Sequence, residues 1–502
     1  MDKILPVFVA LPLGAAFVIY LFGSAWRRIA KKFSDIAANL TTLSLFILTI
    51  FTLIEMATKR HILYFIGGWR PPFGITLVLD GLSVLMLLVI NLVGLMATIF
   101  SINYMEKFTA KYKFYSLLML MIAGMNGISI TGDLFNMFVF IEISAISSYA
   151  LVAFGTGDEE LEAAFKYMVM GEIASLLILL SIALIYAAIS TLNMADISQV
   201  IAGQGTKPII ILCSILFIIG FGLKAALVPF HAWLPDAHPS APAPISALLS
   251  GAVIKILGVY AIIRVFFNIF GITPIVSSIL LFLSGASMII GVLLQLGQND
   301  LKRLLAYCSI SQIGYVLLGI GLGTPLGIIG GLFHLLNHAV FKSLLFLNSG
   351  AIEYATGTRE IMKLGGLAKK MPFTSVSGFI GSFAASGVPP FNGFWSKLII
   401  ILAAIEAQQY LLAAIAGVSA VLTLTSFIRM QRRTFLGILP SRLSEIKEVP
   451  IAMKTPLVVL SLLCIILGIL LIPGVRAIFL DLAKDTIILG TGYAKIVLGQ
   501  GG

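Results

Sequence analysis

The chain has 502 residues, of which 59% are hydrophobic and only 11% are charged. Soluble domains carry about 25% charged residues, so this composition excludes a soluble globular protein and indicates a chain that crosses the membrane many times. The net charge of +11 would suggest nucleic-acid binding in a soluble protein. Here we expect it to reflect Lys and Arg concentrated in cytoplasmic connections.

A membrane-spanning helix needs about 20 mostly apolar residues, and by this criterion the chain contains about fourteen spans. In chain order they are predicted at residues 4–22, 36–57, 77–100, 114–131, 133–154, 161–190, 209–230, 242–267, 274–295, 301–322, 325–350, 373–405, 410–430 and 455–473. The first apolar run has no clear cleavage site and is predicted to be a span, not a signal peptide. We therefore predict an all-α polytopic membrane protein.

The basic residues predict the orientation of the spans. With the N-terminus outside, the odd-numbered connections are cytoplasmic, and they carry most of the Lys and Arg, including Arg27, Arg28 and Lys113. The outer connections carry few, Lys207 among them. This asymmetry predicts an even number of spans with both termini on the outer side of the cell membrane.

Two predicted spans are interrupted by proline. The seventh meets Pro229, and the twelfth contains Pro389 and Pro390. Broken backbone at membrane depth is tolerated only where it is buried in protein or lines a wet cavity. The breaks read PFHAW and PFNGFW and lie in corresponding positions, which predicts inverted repeats with an ion path at their interface. Ordinary proline kinks with a chance similarity are the alternative.

Ionisable residues inside apolar spans are functional-site hypotheses, because a charge at mid-depth costs about 2.5–3.5 kcal/mol. Glu142 lies about 13 Å into the fifth span, counted from Asp133 at 1.5 Å per residue. Lys224, just before the first break, is its natural partner, and Lys255 lies deep in the eighth span. The alternatives are a structural ion pair for Glu142 and Lys224, and snorkelling of either lysine to the interface.

The eleventh span carries His334, His338 and Lys342 at i, i+4 and i+8, so they share one helix face. Histidine titrates near physiological pH and suits proton relay. Histidines that are satisfied and do not relay protons remain an alternative. A metal pair at i, i+4 is the other, but no third ligand is evident, and no metal site is predicted.

Three further acidic or basic residues complete the candidates. Lys397 follows the second break and is the second-half counterpart of the buried lysines. Glu172, in the sixth span, is either a second acidic site or a structural partner of Lys166. Asp80 opens the third span and is predicted to cap its helix. The three cysteines lie in apolar runs without C-x-x-C spacing, which argues against disulfides, zinc, iron–sulfur clusters and haem.

Five segments resemble the antiporter-like subunits of the complex I superfamily: GDLFNMFVFIEISAISSYALVAF, EAAFKYMVMGEIAS, LKAALVPFHAWLPDAHPSAPAPISALLSG, DLKRLLAYCSISQIGYVLLGI and GVPPFNGFWSK. The chain most resembles the D-type subunit of Mrp-type Na⁺/H⁺ antiporters and the H-type subunit of archaeal membrane-bound hydrogenase and sulfane reductase complexes. It resembles the N- and M-type subunits of complex I more distantly.

The resemblance implies fourteen helices with two inverted five-helix repeats and broken helices 7 and 12. The implied division is residues 1–110 for helices 1–3, 111–267 for the first repeat, 268–430 for the second, and 431–502 for helix 14 with its flanking segments. The implied proton pathway is Glu142, Lys224, Lys255, His334, His338 and Lys397, with Glu172 and Lys342 as additional candidates.

The resemblance implies a proton-translocating subunit of a prokaryotic membrane complex, either an Mrp-type antiporter or an Mrp-derived module of a redox-driven ion pump. An N- or M-type subunit of an NADH–quinone oxidoreductase is the alternative. We expect other antiporter-like and small membrane subunits as partners, H⁺ as the transported ion with Na⁺ left open, and no nucleic acid. We expect no cofactor and no redox chemistry in this chain. A free-standing transporter, an integral redox enzyme and a structural scaffold are the competing interpretations.

Overall fold

The computed structural model describes residues 2–26, 29–108, 110–204 and 208–499. Among these residues, twelve helices are long and apolar enough to cross a membrane, and Pro208–Lys224 is a shorter apolar helix. The predicted all-α polytopic fold is confirmed. Arg27, Arg28 and Lys207, which contribute to the predicted charge asymmetry, lie outside the described residues.

We number the membrane helices α1 to α14 in chain order and write the two interrupted ones as halves a and b. Their bounds are α1 Val7–Ala25, α2 Ala30–Lys59, α3 Gly81–Tyr104, α4 Lys111–Ile130, α5 Leu134–Val152, α6 Asp158–Ile189, α7a Pro208–Lys224, α7b Leu234–Ser240, α8 Ala243–Ile269, α9 Pro274–Leu296, α10 Leu301–Gly321, α11 Pro325–Thr356, α12a Pro372–Ser386, α12b Asn392–Glu406, α13 Tyr410–Thr434 and α14 Ile451–Ile466. The continuous and interrupted helices together match the predicted spans.

The third span begins later than predicted. Residues Thr76–Leu79 form a strand, β2, which pairs antiparallel with β1, Ile62–Phe65. A short aliphatic run of this kind cannot be told from a helix end by its pattern alone. The helix α3 starts only at Gly81, where the predicted cap is confirmed: Asp80 Oδ1 accepts from the Ser83 backbone N–H at 2.9 Å.

Short helices outside the membrane spans were not predicted, because each falls well below spanning length. They are Met194–Gln204, Pro473–Ile478, Leu480–Ile488 and Tyr493–Val497. The last three follow α14 and return to the end of α8, where the Asn268 amide donates to the Thr486 carbonyl at 2.8 Å. The C-terminal segment therefore covers the ends of α3 and α8.

Both predicted breaks interrupt the helix backbone. The first, residues 225–233, separates α7a from α7b and contains Pro229. In the second, α12a ends at Ser386 and Gly387 follows with φ +85°, the left-handed conformation that glycine adopts at a helix end. Pro389 and Pro390 then prevent the helix from continuing, because neither has a backbone N–H to donate.

The ends of α5 and α10 make matching contacts. Asp133 caps α5 and bridges to Asn193, and Asp300 caps α10 and bridges to Glu360. Five crossings separate these two ends, so they lie on opposite sides of the membrane. The same correspondence is seen in two hydrogen bonds. The Ser144 hydroxyl donates to the Met121 carbonyl, and the Ser311 hydroxyl donates to the Met288 carbonyl. These contacts support two repeats of opposite orientation; the division at residues 267 and 268 remains a prediction.

The helices α8 and α11 lie at the centre of the molecule and are buried along their length. Much of α8 is wound as π-helix, in the stretches Leu249–Val253, Lys255–Tyr260 and Arg264–Ile269. Widened turns of this kind release backbone carbonyls from the helical pattern and are frequent at functional sites. The central scaffold therefore offers backbone acceptors next to Lys255.

Four cations hold the short helix α7b and the chain after it. The contacts are Lys166 and Arg303 to the Asp236 carboxylate, both at 3.1 Å, Lys302 to the Ala241 carbonyl at 2.8 Å, and Arg359 to the Pro239 carbonyl. Three of these cations lie on α10 and beyond α11, in the part of the chain predicted to form the second repeat. We refer to these contacts as the α7b clamp.

Candidate functional site

Glu142 on α5 and Lys224 at the end of α7a form the ion pair predicted from their positions. Their Oε1 and Nζ atoms are 3.8 Å apart. The Ser175 hydroxyl donates to the same carboxylate oxygen, and Lys224 lies 3.4 Å from the Tyr149 hydroxyl. The Lys224 side chain is 3% exposed and that of Glu142 is 19% exposed. The acid therefore has access to its surroundings while the lysine is enclosed.

Glu172 on α6 lies within electrostatic range of both Glu142 and Lys224. The alternative partner, Lys166, instead contacts Glu162 at 2.8 Å and Asp236 at 3.1 Å. The alternative prediction, a structural ion pair between Glu172 and Lys166, is therefore wrong, because the Lys166 ammonium binds Glu162 and Asp236. Glu172 instead interacts electrostatically with Glu142 and Lys224, and its role as a second acidic site stays a prediction.

Lys255 is fully buried at the centre of α8. Its ammonium donates to the Ser250 carbonyl, which the widened π-turn leaves open. The Ser250 side chain in turn shares a hydrogen bond of 2.7 Å with Ser309 on α10. Within the described residues Lys255 has no carboxylate partner, so its hydrogen bonds come from backbone.

Lys342 on α11 is also fully buried and donates to the Leu305 carbonyl at 2.8 Å. Its ammonium lies within hydrogen-bonding range of the Cys308 thiol and within electrostatic range of Lys255. Both lysines are thus enclosed in the protein interior, and neither has a carboxylate partner within the described residues. Such an arrangement disfavours holding both ammonium charges at once.

The predicted shared face of α11 is present in the structure. His334 and His338 are fully buried, with parallel rings whose centroids are 6.3 Å apart. His334 Nδ1 is 2.9 Å from the Ser396 hydroxyl. Its Nε2 and both ring nitrogens of His338 make no hydrogen bond within the described residues. Buried polar atoms normally have partners, so these nitrogens mark a place for water or a transferred proton.

Lys397 on α12b is 3% exposed and lies against the second break. Its ammonium donates to the Ala385 carbonyl at 2.8 Å and to the Ser386 carbonyl at 3.3 Å. It also lies 4.7 Å from the ring centroid of Tyr315. Among the described residues, no group of three or more His, Cys, Asp or Glu side chains is placed to hold a metal ion.

The candidate residues fall into two electrostatic groups. Glu142, Glu172 and Lys224 form the first. The second is Lys255, Lys342, His338, His334 and Lys397, each within electrostatic range of another member. Between the groups lies the first break, where Gly258 of α8 packs directly on the Ala225 backbone. This contact joins the residue after Lys224 to the helical turn that follows Lys255.

His238 is a buried site residue that sequence reasoning missed. Its side chain is 0% exposed, neither ring nitrogen makes a hydrogen bond within the described residues, and it stacks on Phe346 at 4.4 Å. It lies within electrostatic range of Lys255, Lys342 and Lys302. It lies in the proline-rich segment HAWLPDAHPS between two apolar runs, and the cost of a charge at mid-depth singles out only residues inside such runs.

Gln312 on α10 was also missed. Its side chain is fully buried, and neither amide atom makes a hydrogen bond within the described part of the chain. It lies one helical turn from Cys308 and from Tyr315, on the same face of α10. Those two residues contact Lys342 and Lys397 respectively, so Gln312 lies between the two lysines along the helix.

Comparison with known proteins identifies the family. The family model described as "NADH:quinone oxidoreductase/Mrp antiporter, TM" matches residues 131–423, which include every candidate site residue from Glu142 to Lys397. The chain belongs to this family. A second model, described as the N-terminus of complex I chain 5, matches residues 70–116. The resemblance seen in the sequence motifs is therefore confirmed.

Individual relatives cover most of this antiporter-like subunit. It is 34% identical to the D-type subunit of a Na⁺/H⁺ antiporter from Alkalihalophilus pseudofirmus, over 86% of this chain and 87% of the relative. It is 35% identical to the N-type subunit of an NADH-quinone oxidoreductase from Desulforudis audaxviator, over 81% of this chain and 84% of the relative. Both alternatives drawn from the sequence are thus represented among its relatives.

Two solved structures share the whole fold. A chain of the Mrp complex from Dietzia sp. DQ12-45-1b superposes with a TM-score of 0.91 at 29% identity, covering 99% of both chains. A chain of the membrane-bound sulfane sulfur reductase, an archaeal respiratory membrane complex, gives a TM-score of 0.90 at 33% identity, covering 99% of this chain and 100% of that one. Both neighbours belong to complexes, which supports other membrane subunits as partners of this chain.

Proposed function

We propose that this chain is a proton-translocating subunit of a multisubunit membrane complex, either an Mrp-type Na⁺/H⁺ antiporter or an Mrp-derived module of a redox-driven ion pump. The observation that carries the proposal is the row of buried lysines and histidines on α8, α11 and α12b, together with the Glu142–Lys224 pair beside the first break. A row of titratable groups beside broken helices suits proton hopping. It does not suit binding of a bulky substrate.

The Glu142–Lys224 pair is the switch in this proposal. While the two charges are close, each stabilises the ionised form of the other. Separation leaves an enclosed ammonium without a counter-charge, so Lys224 releases its proton towards Lys255. Glu172 is a second acid that can hold the released or incoming proton. The partial exposure of Glu142 supports control of this pair from outside the chain, by a neighbouring subunit.

Lys255 is the central store, and Lys342, His338 and His334 form the bridge to Lys397. The unpartnered nitrogens of His338 and His334 support water-assisted transfer along α11. Lys397 is the last residue of the proposed pathway, from which the proton is released on the other side of the membrane. His238 would connect Lys255 to the Lys302–Glu353 ion pair, whose atoms are 3.4 Å apart near one membrane face. That connection offers protons an entry separate from the first pair.

The proposal also covers the orientation of the chain in the membrane and its partner subunits. The distribution of basic residues supports both termini on the outer side of a prokaryotic cell membrane. The chain then works with other antiporter-like and small subunits, carries H⁺, and in an antiporter also serves Na⁺ exchange. We propose no cofactor and no redox chemistry in this chain; in a redox-driven complex, electron transfer belongs to other subunits.

The second candidate is an N-type subunit of an NADH–quinone oxidoreductase. It rests on the 35% identity with such a subunit. The same buried residues would carry protons in either complex, so the chain's own chemistry does not separate the two. Purification of the native complex separates them in two steps. Visible absorption by cofactor-bearing subunits distinguishes a redox complex from an antiporter, and reduction of quinone by NADH distinguishes the NADH–quinone oxidoreductase from another redox-driven pump.

The decisive experiment measures proton flux in proteoliposomes that contain the whole complex, with Lys255→Ala compared with wild type. We expect proton flux to fall at least a hundredfold. A single proton-transfer group typically contributes a factor of about 10²–10⁴ to a rate, and this expectation takes the lower end. The matched control is Lys113→Ala, which changes an exposed lysine outside the row. Normal flux in Lys255→Ala would show that the chain is a scaffold.

A further inference from the structure

A groove of about 370 Å³ runs between α12a and α14 on the outer surface of the helix bundle. Both helices begin on the same side of the membrane and lie side by side. The walls are the apolar side chains Phe373, Val376, Ile380, Val458, Leu462 and Ile465. Three of them, Phe373, Val376 and Leu462, are more than half exposed, so the groove is open at the outer surface of this chain.

Two serines make the floor of the groove. Ser461 donates to the Leu457 carbonyl at 2.7 Å. Ser377 donates to the Thr374 carbonyl at 3.0 Å and accepts from the Asn348 amide at 2.9 Å. Because both hydroxyls are already bonded within the protein, the floor presents a small and effectively apolar surface. The space above it suits hydrocarbon and offers no free polar group to a helix or to water.

The depth of the groove matches one leaflet of a bilayer. From Lys454, in the first turns of α14, to Ile465 the helix rises about 16 Å at 1.5 Å per residue. Half of a hydrocarbon core of about 30 Å is about 15 Å. An acyl chain lying in the groove would therefore run from the headgroup level to the bilayer centre.

Cations gather at the shallow end of the groove. The Lys454 ammonium lies 5.4 Å from the ring centroid of Phe373, the first wall residue. Lys370 and Lys447 are exposed and lie close in the chain to Phe373 and Glu448, which are in contact because the Phe373 backbone N–H donates to Glu448 at 2.8 Å. None of these three lysines makes an ion pair within the described residues.

The acid at this end is already engaged. Glu448 accepts from the Phe373 and Thr374 backbone N–H groups at 2.8 and 3.2 Å and from the Thr374 hydroxyl at 2.6 Å. It therefore caps the start of α12a and pairs with none of the three lysines. The end of the groove consequently carries a net positive charge at headgroup depth.

We propose that this groove is a binding site for one anionic phospholipid, with an acyl chain between α12a and α14 and the phosphate against Lys454, Lys370 and Lys447. Basic pockets between membrane helices at the headgroup level are suited to anionic lipids. In the orientation proposed above, the lipid belongs to the inner leaflet. The occupant lies directly behind α12a, the helix whose end receives the Lys397 ammonium.

The test uses the intact complex in phosphatidylcholine nanodiscs, to which phosphatidylglycerol is added, with bound lipid counted by native mass spectrometry. We expect one phosphatidylglycerol per chain to remain bound in wild type. At about 1 kcal/mol for each lysine near the lipid surface, Lys454→Gln weakens binding about fivefold and the triple change Lys454→Gln, Lys370→Gln, Lys447→Gln about a hundredfold. Ser461→Leu places a larger side chain in the floor of the groove, where the acyl chain would lie. It should therefore reduce binding of phosphatidylglycerol and of phosphatidylcholine alike.

The matched control is Lys32→Gln, an exposed lysine in the first turn of α2, far from the groove in the chain. It should bind phosphatidylglycerol as wild type does. Equal phosphatidylglycerol retention in the triple variant and wild type would overturn the proposal. So would cross-linking of residue 376 or 462 to a partner subunit in the intact complex, because a protein helix would then occupy the groove.

Discussion

The Lys397 ammonium reaches across the second break to the carbonyl of Ala385, 2.8 Å away, at the end of α12a. Helix ends of this kind carry partial negative charge. In the first repeat, Lys224 is itself the last residue of α7a and faces Glu142. Each repeat thus places one ammonium at the end of a broken helix, but only the first supplies a carboxylate. This difference gives the two halves unequal roles.

Removal of the charge at the second break should stop proton release while leaving the fold in place. Lys397→Gln retains the chain length approximately and a donor for Ala385, but it cannot carry a proton. We expect proton flux to fall by a factor of about 10² or more, and the Tm of the complex to change little. Flux assays in proteoliposomes check this. Retained flux would remove Lys397 from the pathway.

The Glu142–Lys224 pair should behave as a coupled unit. Glu142→Gln leaves an enclosed ammonium without its partner, which for buried pairs costs about 3–5 kcal/mol and less here because Glu142 is partly exposed. We expect Glu142→Gln to abolish flux and lower the Tm. The double variant Glu142→Gln, Lys224→Gln should regain stability but not flux. Additive stability losses in this double-mutant cycle would contradict a direct pair.

Cys308 should report water in the pathway. Its thiol lies beside Lys342, whereas Cys464 on α14 is buried among apolar side chains. The variant Cys213→Ser, Cys464→Ser leaves Cys308 as the single cysteine, because the chain has only three. A small methanethiosulfonate reagent should label it roughly tenfold faster than a variant that retains only Cys464.

The measurement for this prediction is the mass increase of the purified chain with time. Labelling of Cys308 should also inhibit proton flux, and Cys308→Ser should protect against the inhibition. Equal, slow labelling of Cys308 and Cys464 would indicate dry packing around Lys342 and count against the pathway.

Gly258 should be required for packing at the first break. A Cβ at this position would overlap the Ala225 backbone, which cannot move aside as a flexible side chain can. We expect Gly258→Ala to destabilise the complex by about 1–3 kcal/mol, as for other overpacked sites, and to reduce flux. The control is Gly417→Ala on α13, where a Cβ meets nothing within 4 Å. Thermal unfolding measures both variants, and an equal Tm for Gly258→Ala and Gly417→Ala would contradict the prediction.

Asp80 should make stability depend on acid pH. Burial alone would raise the pKa of Asp80, but the Arg264 guanidinium, bonded at 2.7 and 3.0 Å, outweighs burial and holds that pKa below its ordinary value. A lowered folded-state pKa contributes stability that is present above the ordinary Asp value of about 3.9 and is lost as pH falls below it.

We therefore expect the Tm of wild type to fall more steeply than that of Asp80→Asn as the pH drops from about 5 to about 3. At neutral pH, Asp80→Asn should cost about 3–5 kcal/mol, because it leaves Arg264 buried without a counter-charge. Parallel pH profiles for the two proteins would show that the ion pair contributes nothing to stability.

Apolar runs, prolines and isolated charges predicted the helices, both breaks and the pairing of Glu142 with Lys224, since each of these signals is local or recurs in the chain. The pairing of Asp80 with Arg264 joins residues that are 184 positions apart, and no pattern in the sequence around either residue predicts the other as its partner. β2 was mistaken for helix because its aliphatic residues continue the apolar run of α3. His238 was passed over because its burial depends on α11 packing over it.

The α7b clamp ties the segment between Lys224 and Lys255 to side chains of the second repeat through Asp236 and two backbone carbonyls. The far side of the first break is therefore fixed to α10 and to the end of α11, whereas α7a on the near side carries Lys224. Any change in the angle between α7a and α7b would have to take place at residues 225–233, beside the only lysine of the pathway that has a carboxylate partner in the described part of the chain.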